Sequence, residues 1–233
     1  MRQVQAIIFD LDDTLWEVGP VIVRAEHAML AFLAERYPRV LDLHTLDSMR
    51  DVRARMAIEH PSMRHDFTWL RLESLRCHAR EAGYAEAMAH EAFAVFYRAR
   101  NEVTLYDDVL PALGELHGRF RLFAISNGNA DLAAIGLARF FEHALAARDA
   151  GMLKPDPRIF GLLLERAGVA PERALHVGDD VVADVEGARR AGVTPVWLNR
   201  SGEGWPAGMS PPPLTVRTLT EFAALFGDRR AAS

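Results

Sequence analysis

Short apolar segments that each lead into a helical pattern are the feature that most restricts the fold of this 233-residue chain. Six of these segments favour strands: residues 4–10, 119–126, 144–147, 173–178, 194–199 and 215–217. The segments between and after them favour helices: residues 108–117, 129–137, 157–167, 181–191 and 219–226. Strands that alternate with helices, and that are apolar on both faces, are typical of a parallel sheet covered on both sides. We therefore predict an α/β fold with a doubly wound parallel sheet.

One long segment, residues 17–99, departs from this alternation and shows only helical patterns. We predict that residues 1–16 and 100–233 form a Rossmann-like core and that residues 17–99 form an inserted all-helical domain. An insert placed directly after the first strand would lie above the carboxyl edge of the sheet, where open α/β sheets bind ligands. Such an insert is suited to act as a lid. The alternative, that these helices only extend the core, stays open.

Composition excludes several classes of partner and compartment. The net charge is −5, with both signs spread along the chain, so nucleic acid is not an expected partner. Cys77 is the only cysteine, which excludes an internal disulfide and fits a reducing compartment. The apolar run near the N-terminus is short and ends in acids, unlike a signal peptide. We expect a cytoplasmic protein that does not enter membranes and that is a monomer or a weak homodimer.

Polar residues follow the predicted strands at several points, and one more lies in a proline-bounded loop. These residues are Asp10, Asp12, Ser126, Asn127, Lys154, Asp179, Asp180 and Asp184. Each has an ordinary explanation alone, as a turn residue, a helix cap or a solvated lysine. Because the carboxyl ends of parallel strands meet at one crevice, we expect these side chains to converge.

Converging carboxylates would repel one another unless a cation lay between them. Asp10, Asp12 and Asp179 offer hard oxygen ligands, which suit Mg²⁺. Ser126 and a backbone N–H near Asn127 could hold phosphate oxygens, helped by the positive end of a following helix. A lysine in the same crevice, Lys154, would add a positive charge for a phosphoryl group.

This set of groups suggests phosphoryl transfer, which depends on positioning and charge neutralisation. Asp10 would attack phosphorus and form an aspartyl phosphate. Asp12 would protonate the leaving alcohol and then take a proton from the hydrolytic water. Asp184 is expected to hold a metal-bound water or Lys154, and Asp180 is assigned either of those supporting roles. Asp13 is expected to be structural.

Four motifs, "DLDDTLW", "ISNGN", "KPDP" and "GDDVVAD", occur in this order and resemble those of the haloacid dehalogenase superfamily. The helical insert resembles that superfamily's C1-type cap. The resemblance implies roles for five residues: Asp10 as nucleophile, Asp12 as acid/base whose backbone carbonyl also binds metal, Ser126 and Lys154 as phosphate ligands, and Asp179 as an Mg²⁺ ligand.

Within the superfamily the chain is similar to bacterial flavin mononucleotide phosphatases, which also act on 5-amino-6-(5-phosphoribitylamino)uracil in riboflavin synthesis. The similarity includes "RHDFTWLRLESL" in the insert, with His65, Asp66 and Trp69. It implies that the substrate is a small phosphate ester, with these two compounds as first candidates.

Three alternatives use similar residues. A 2-haloacid dehalogenase would employ the same aspartate nucleophile, but it needs no metal and no acid, and it is expected to lack an aspartate at the position of Asp12. A receiver domain is about half this length and carries its paired acids and its phosphorylated aspartate on separate strands. A non-catalytic interaction protein of the same fold would not need every catalytic position to be filled, as each is here.

Overall fold

The computed structural model describes residues 4–227 and contains a six-stranded, fully parallel sheet in the order β3-β2-β1-β4-β5-β6. The strands are β1 Ala6–Phe9, β2 Arg121–Ser126, β3 His143–Ala146, β4 Ala174–Gly178, β5 Thr194–Leu198 and β6 Leu214–Val216. The predicted α/β class and parallel sheet are thereby confirmed. The sequence predicts a frayed tail over residues 227–233, of which residues 228–233 lie outside the described range.

Helices connect the strands and also form the inserted segment. They are α1 Val18–Arg36, α2 Pro38–Leu43, α3 Leu46–Glu59, α4 Phe67–Glu81, α5 Ala87–Arg100, α6 Val109–Leu116, α7 Leu132–Ile135, α8 Ala147–Ala150, α9 Pro157–Ala167, α10 Gly187–Arg190 and α11 Leu219–Ala224. A π-helical turn, Val181–Glu186, precedes α10.

The central strand, β1, lies between β2 and β4. Its Ile8 is paired in register with Phe123 on one side and with His176 on the other. All four residues of β1 are buried, which explains the unbroken apolar run in the sequence. The strand order reverses beside β1, so the carboxyl ends of β1 and β4 flank the crevice where doubly wound sheets bind ligands.

One helix is much shorter than its sequence pattern predicts. The prediction spans residues 129–137, whereas α7 covers only Leu132–Ile135. Its start is fixed by Asp131, whose carboxylate accepts hydrogen bonds from the backbone N–H groups of Ala133 and Ala134. Its end is fixed by Gly136, which has a φ of +86° that a helix cannot continue.

The described chain divides into two compact units. One comprises residues 4–17, 104–128 and 136–227 and contains the sheet. The other comprises residues 18–103 with 129–135 and is entirely helical. We call them the sheet unit and the helical unit.

The helical unit has its own apolar core, built mainly from α1, α4 and α5, with Met29, Leu33, Leu75 and Phe96 among its buried side chains. In the part of the chain that the structure describes, no helix combines the length and the apolar character required to cross a membrane.

A buried ion cluster joins three helices of the helical unit. Glu26 on α1 is fully buried and contacts Arg50 at 2.5 Å, Arg53 at 3.2 Å and Arg71 at 3.5 Å. Burial raises the pKa of Glu26, but the hydrogen bond from Arg50 and the charges of Arg71 and Arg53 outweigh it and hold that pKa below its usual value. Glu26 therefore stays ionised, as a buried acid with several cationic partners does.

Candidate active site

The two strand ends at the crevice each carry an aspartate. Asp10 directly follows β1, and its backbone N–H donates to the carbonyl of Val177 on β4 at 2.9 Å. Asp179 directly follows β4. The parallel pairing of β1 with β4 thus places these two residues on adjacent strand ends, as the sequence pattern predicts.

A single ammonium group lies between two carboxylates of the site. Lys154 Nζ is 2.5 Å from Asp10 Oδ1 and 2.6 Å from Asp184 Oδ1. The side chains of Lys154 and Asp184 are each only 2% exposed and that of Asp10 is 10% exposed, so both contacts are shielded from water. Buried charges of this kind persist only when they are paired and hydrogen-bonded.

The pKa values of the three carboxyl groups, Asp10, Asp179 and Asp184, do not all shift in the same direction. Burial raises the pKa of Asp10 well above its usual value, and the charges of Asp184 and Asp179 add to this effect while Lys154 opposes it. Burial, followed by the charge of Asp184, raises the pKa of Asp179 to about 7. Burial also acts on Asp184, but Lys154 and a hydrogen bond from His176 outweigh it and hold the pKa of Asp184 well below its usual value.

The donor set fits a hard divalent cation. Oxygens of Asp10, Asp179 and Asp184 lie within 4.8 Å of one another. When all three carboxyl groups are ionised, they and the Lys154 ammonium together carry two negative charges, which a divalent cation would balance. All the donors are oxygens, the type that Mg²⁺ prefers. The chemistry of these residues therefore fits the Mg²⁺ that the sequence pattern suggests.

Asp179 is held in place from two sides. Thr14 donates its hydroxyl proton to Asp179 Oδ1 at 3.0 Å, and Trp197 Nε1 donates to the backbone carbonyl of Asp179 at 2.8 Å. Thr14 links the loop after β1 to the end of β4, and sequence reasoning assigned it no role.

The loop after β1 orients Asp12. Its Oδ1 accepts a hydrogen bond from Trp16 Nε1 at 2.8 Å, and its carboxylate lies outside the group formed by Asp10, Asp179 and Asp184. Asp13 adopts a left-handed φ of +58°, a conformation that aspartate tolerates better than most residues. The third acid of the motif thus has a conformational role in the turn.

Ser126 is the last residue of β2 and Asn127 follows it, and the two side chains make different contacts. Ser126 is buried, and its hydroxyl oxygen accepts from Gly128 N–H at 2.9 Å, so its own proton can be donated to another group. The amide of Asn127 accepts from the backbone N–H of Lys154 at 2.8 Å and donates to the Lys154 carbonyl at 3.1 Å. The Asn127 side chain therefore positions the backbone that carries Lys154.

The remaining two predicted residues have separate roles. Asp184 is buried and accepts from His176 Nε2 at 2.9 Å when that nitrogen carries the proton. Asp180 directs its carboxylate to the backbone N–H groups of Val182 and Ala183, both at 2.7 Å, and so caps the following helical turn. Asp184 is thus the acid beside Lys154, and the Asp180 side chain is the cap.

His176 is a site residue that sequence reasoning missed. It lies in β4 with its side chain fully buried, and burial lowers its pKa, so the ring is neutral at pH 7. A histidine in an otherwise apolar strand was the only signal in the sequence, and it gives no indication of the partner.

Comparisons with known proteins identify the family of the chain. The haloacid dehalogenase-like hydrolase family matches residues 4–192, and the chain belongs to that family. The 5-amino-6-(5-phospho-D-ribitylamino)uracil phosphatase of Escherichia coli is 34% identical over 202 residues, which cover 85% of this chain and 84% of that protein. The phosphoserine phosphatase of Thermus thermophilus is 41% identical over 126 residues, which cover 52% of this chain and 51% of that protein.

A solved structure carries a different activity in its name. A protein of Pseudomonas syringae pv. tomato, described as a 2-haloacid dehalogenase, superposes with a TM-score of 0.91 at 37% identity. The match covers 96% of this chain and 98% of that one. The family is thus the same in both comparisons, while the named chemistries differ.

Gly178 is a position where the site permits no side chain. A Cβ atom there would lie 2.3 Å from Asp184 Cγ, and Asp184 is held by Lys154 and His176. We expect Gly178→Ala to lower the free energy of unfolding by about 1–3 kcal/mol, the cost of overpacking a filled site. Urea unfolding measures this change.

The matched control is Gly161→Ala on α9, where an added Cβ meets no atom within 4 Å. This control should raise the free energy of unfolding by about 0.5–1 kcal/mol, because alanine is the better helix former. Equal stabilities of Gly178→Ala and the unsubstituted protein would contradict the packing described at Asp184.

Proposed function

We propose that this hydrolase is a phosphatase that cleaves small phosphate monoesters through a phosphorylated Asp10. The observation that carries the proposal is the Lys154 ammonium, held between Asp10 and Asp184 beside Asp179. An anionic phosphoryl group can approach a carboxylate nucleophile only where positive charge offsets their repulsion. Lys154 supplies that positive charge beside Asp10.

The reaction has two steps. In the first, a carboxylate oxygen of Asp10 forms a bond to phosphorus while the bond from phosphorus to the ester oxygen breaks, and Asp12 gives its proton to the departing oxygen. In the second, a water attacks phosphorus and gives a proton to Asp12, and the bond from Asp10 to phosphorus breaks. Inorganic phosphate leaves, and both carboxyl groups return to their starting states.

The surrounding residues bind and orient the phosphoryl group. Lys154 supplies a fixed positive charge, Asn127 holds the backbone of Lys154, and Ser126 donates its hydroxyl proton to a phosphate oxygen. Mg²⁺, which Asp10 and Asp179 would hold together with the backbone carbonyl of Asp12, supplies further charge neutralisation when it is bound. Asp184 keeps Lys154 charged and in place.

The relatives suggest a substrate class. The E. coli relative is named for a ribityl pyrimidine phosphate, and its match covers 85% of this chain, more than the sheet unit alone could supply. The similarity therefore extends into the helical unit, the region expected to act as a lid. We propose that the substrate is a small primary phosphate ester, with this ribityl pyrimidine phosphate and flavin mononucleotide as the first candidates.

The dehalogenase activity named for the P. syringae structure is the competing candidate. A halide ion leaves carbon without accepting a proton, whereas an alkoxide leaving phosphorus needs one. A dehalogenase therefore has no use for a proton donor at position 12. Asp12, oriented by Trp16, favours the phosphatase.

Parallel assays of the two chemistries separate these candidates. The purified protein should release inorganic phosphate from an aryl phosphate and from the ribityl pyrimidine phosphate, and chelation of Mg²⁺ should abolish that release. With 2-chloropropionate it should release no chloride above background. Chloride release that persists without Mg²⁺, in the absence of phosphate release, would overturn the proposal in favour of the dehalogenase.

The acid role of Asp12 predicts a dependence on the leaving group. Asp12→Asn should slow hydrolysis of an alkyl phosphate by about 10²–10⁴-fold, the usual contribution of general acid catalysis. It should slow the formation of the phosphorylated enzyme from a nitrophenyl phosphate much less, because nitrophenolate leaves without a proton. Rapid-mixing kinetics of alcohol release measure both rates.

Asp131→Asn in the helical unit, a substitution outside the proposed chemistry, is the control. Equal slowing for both leaving groups would contradict the acid role.

A further inference from the structure

A second cluster of potential metal ligands lies in the helical unit. His44 follows α2, while His78 and Glu81 lie three residues apart in the last turn of α4 and so share one helix face. One ligand atom from each of the three residues lies within 4.8 Å of the other two. All three belong to the helical unit, so this cluster is separate from the carboxylates that follow β1 and β4.

The buried histidine has nitrogens that the protein does not satisfy. His78 is fully buried, and among the described residues neither of its ring nitrogens has a hydrogen-bond partner. A buried polar atom without a partner is costly, and native proteins rarely keep one without a reason. A ring with two such atoms, next to two other potential ligands, suggests that one nitrogen binds something other than protein.

The side chains of His44 and Glu81 lie close to each other and to His78. The rings of His44 and His78 have centroids 4.3 Å apart. His44 Nε2 lies 2.9 Å from Glu81 Oε2, yet the contact lacks the geometry of a hydrogen bond. The side chain of Glu81 is 58% exposed, which gives an ion a route from solvent.

The end of α4 also favours a cation here. The last turn of a fifteen-residue helix, α4, adds the partial negative charge of its carbonyl groups. The two helices that carry the cluster also contribute Val40, Leu75 and Ala79 to the apolar core of the helical unit.

We propose that His44, His78 and Glu81 form a binding site for a borderline transition-metal ion of the Zn²⁺ type, with water completing the coordination. Two imidazoles and one carboxylate form a recognised zinc ligand set, whereas Mg²⁺ prefers an all-oxygen set. The ion joins the residue after α2 to the end of α4 and thereby stabilises the helical unit. Its role is separate from the phosphatase chemistry.

Cobalt is a suitable probe because its visible absorption reports nitrogen ligands and low coordination number. The full-length protein is treated with chelator, saturated with excess Mg²⁺ to occupy the carboxylate site, and titrated with Co²⁺. We expect intense visible bands that saturate at one equivalent and that Zn²⁺ abolishes by competition. We also expect one equivalent of Zn²⁺ to raise the midpoint of thermal unfolding.

Variants assign the signal to these residues. His44→Gln and Glu81→Gln should each weaken Co²⁺ binding by about tenfold or more, since even the outer partners of a metal site contribute tenfold to hundredfold. His90→Gln changes an exposed histidine on α5 and should leave the bands unchanged. Glu81 is largely exposed, so Glu81→Gln should fold even if the histidine variant does not.

Two outcomes would overturn the proposal. The first is the absence of intense bands from the unsubstituted protein in excess Mg²⁺. The second is bands that are the same in Glu81→Gln and His44→Gln as in the unsubstituted protein. The first outcome would leave a buried water as the partner of His78, and the second would place the cobalt elsewhere.

Discussion

The site is built around one ammonium group shared by two buried carboxylates. Lys154 contacts Asp10 and Asp184 at 2.5 and 2.6 Å, and none of the three charges could be buried alone at acceptable cost. Other features serve this arrangement: the Asn127 amide fixes the backbone of Lys154, and Gly178 leaves the space that Asp184 fills. In the proposed reaction, Asp184 acts through Lys154 and Asp10 is the residue that meets the phosphoryl group.

The sequence predicted the fold to the extent that each element depends on its own residues. The unbroken apolar runs identified the strands, because a parallel strand is buried on both faces, and α9 was predicted with its observed bounds. The helix predicted over residues 129–137 was too long. Its true limits depend on one cap, Asp131, and one left-handed residue, Gly136. Hydrophobic periodicity follows the apolar positions and gives these two residues little weight. The predicted lid position of the helical insert stays a prediction.

The candidate site, like the fold, could be predicted from the sequence only in part. Asp10, Asp179 and Lys154 could be found because residues at strand ends and in the loops beside them must meet at one edge. The division of roles between Asp180 and Asp184 could not, because both follow β4 and only the path of the helical turn decides which one is buried. The role of His176 depends on Asp184, the side chain that lies beside it in the folded chain. The residues next to His176 in the sequence form no pattern that identifies this partner.

Detection of the phosphorylated enzyme would show directly whether Asp10 attacks phosphorus. The protein is mixed with an aryl phosphate and quenched in acid during the burst of alcohol release that marks accumulation of the intermediate. The protein is then digested and analysed by mass spectrometry. We predict one phosphoryl group on the peptide that contains Asp10, and we expect it to be lost when the quench is delayed beyond turnover. A burst of alcohol with no phosphoryl group on Asp10, or with the group on another residue, would contradict it.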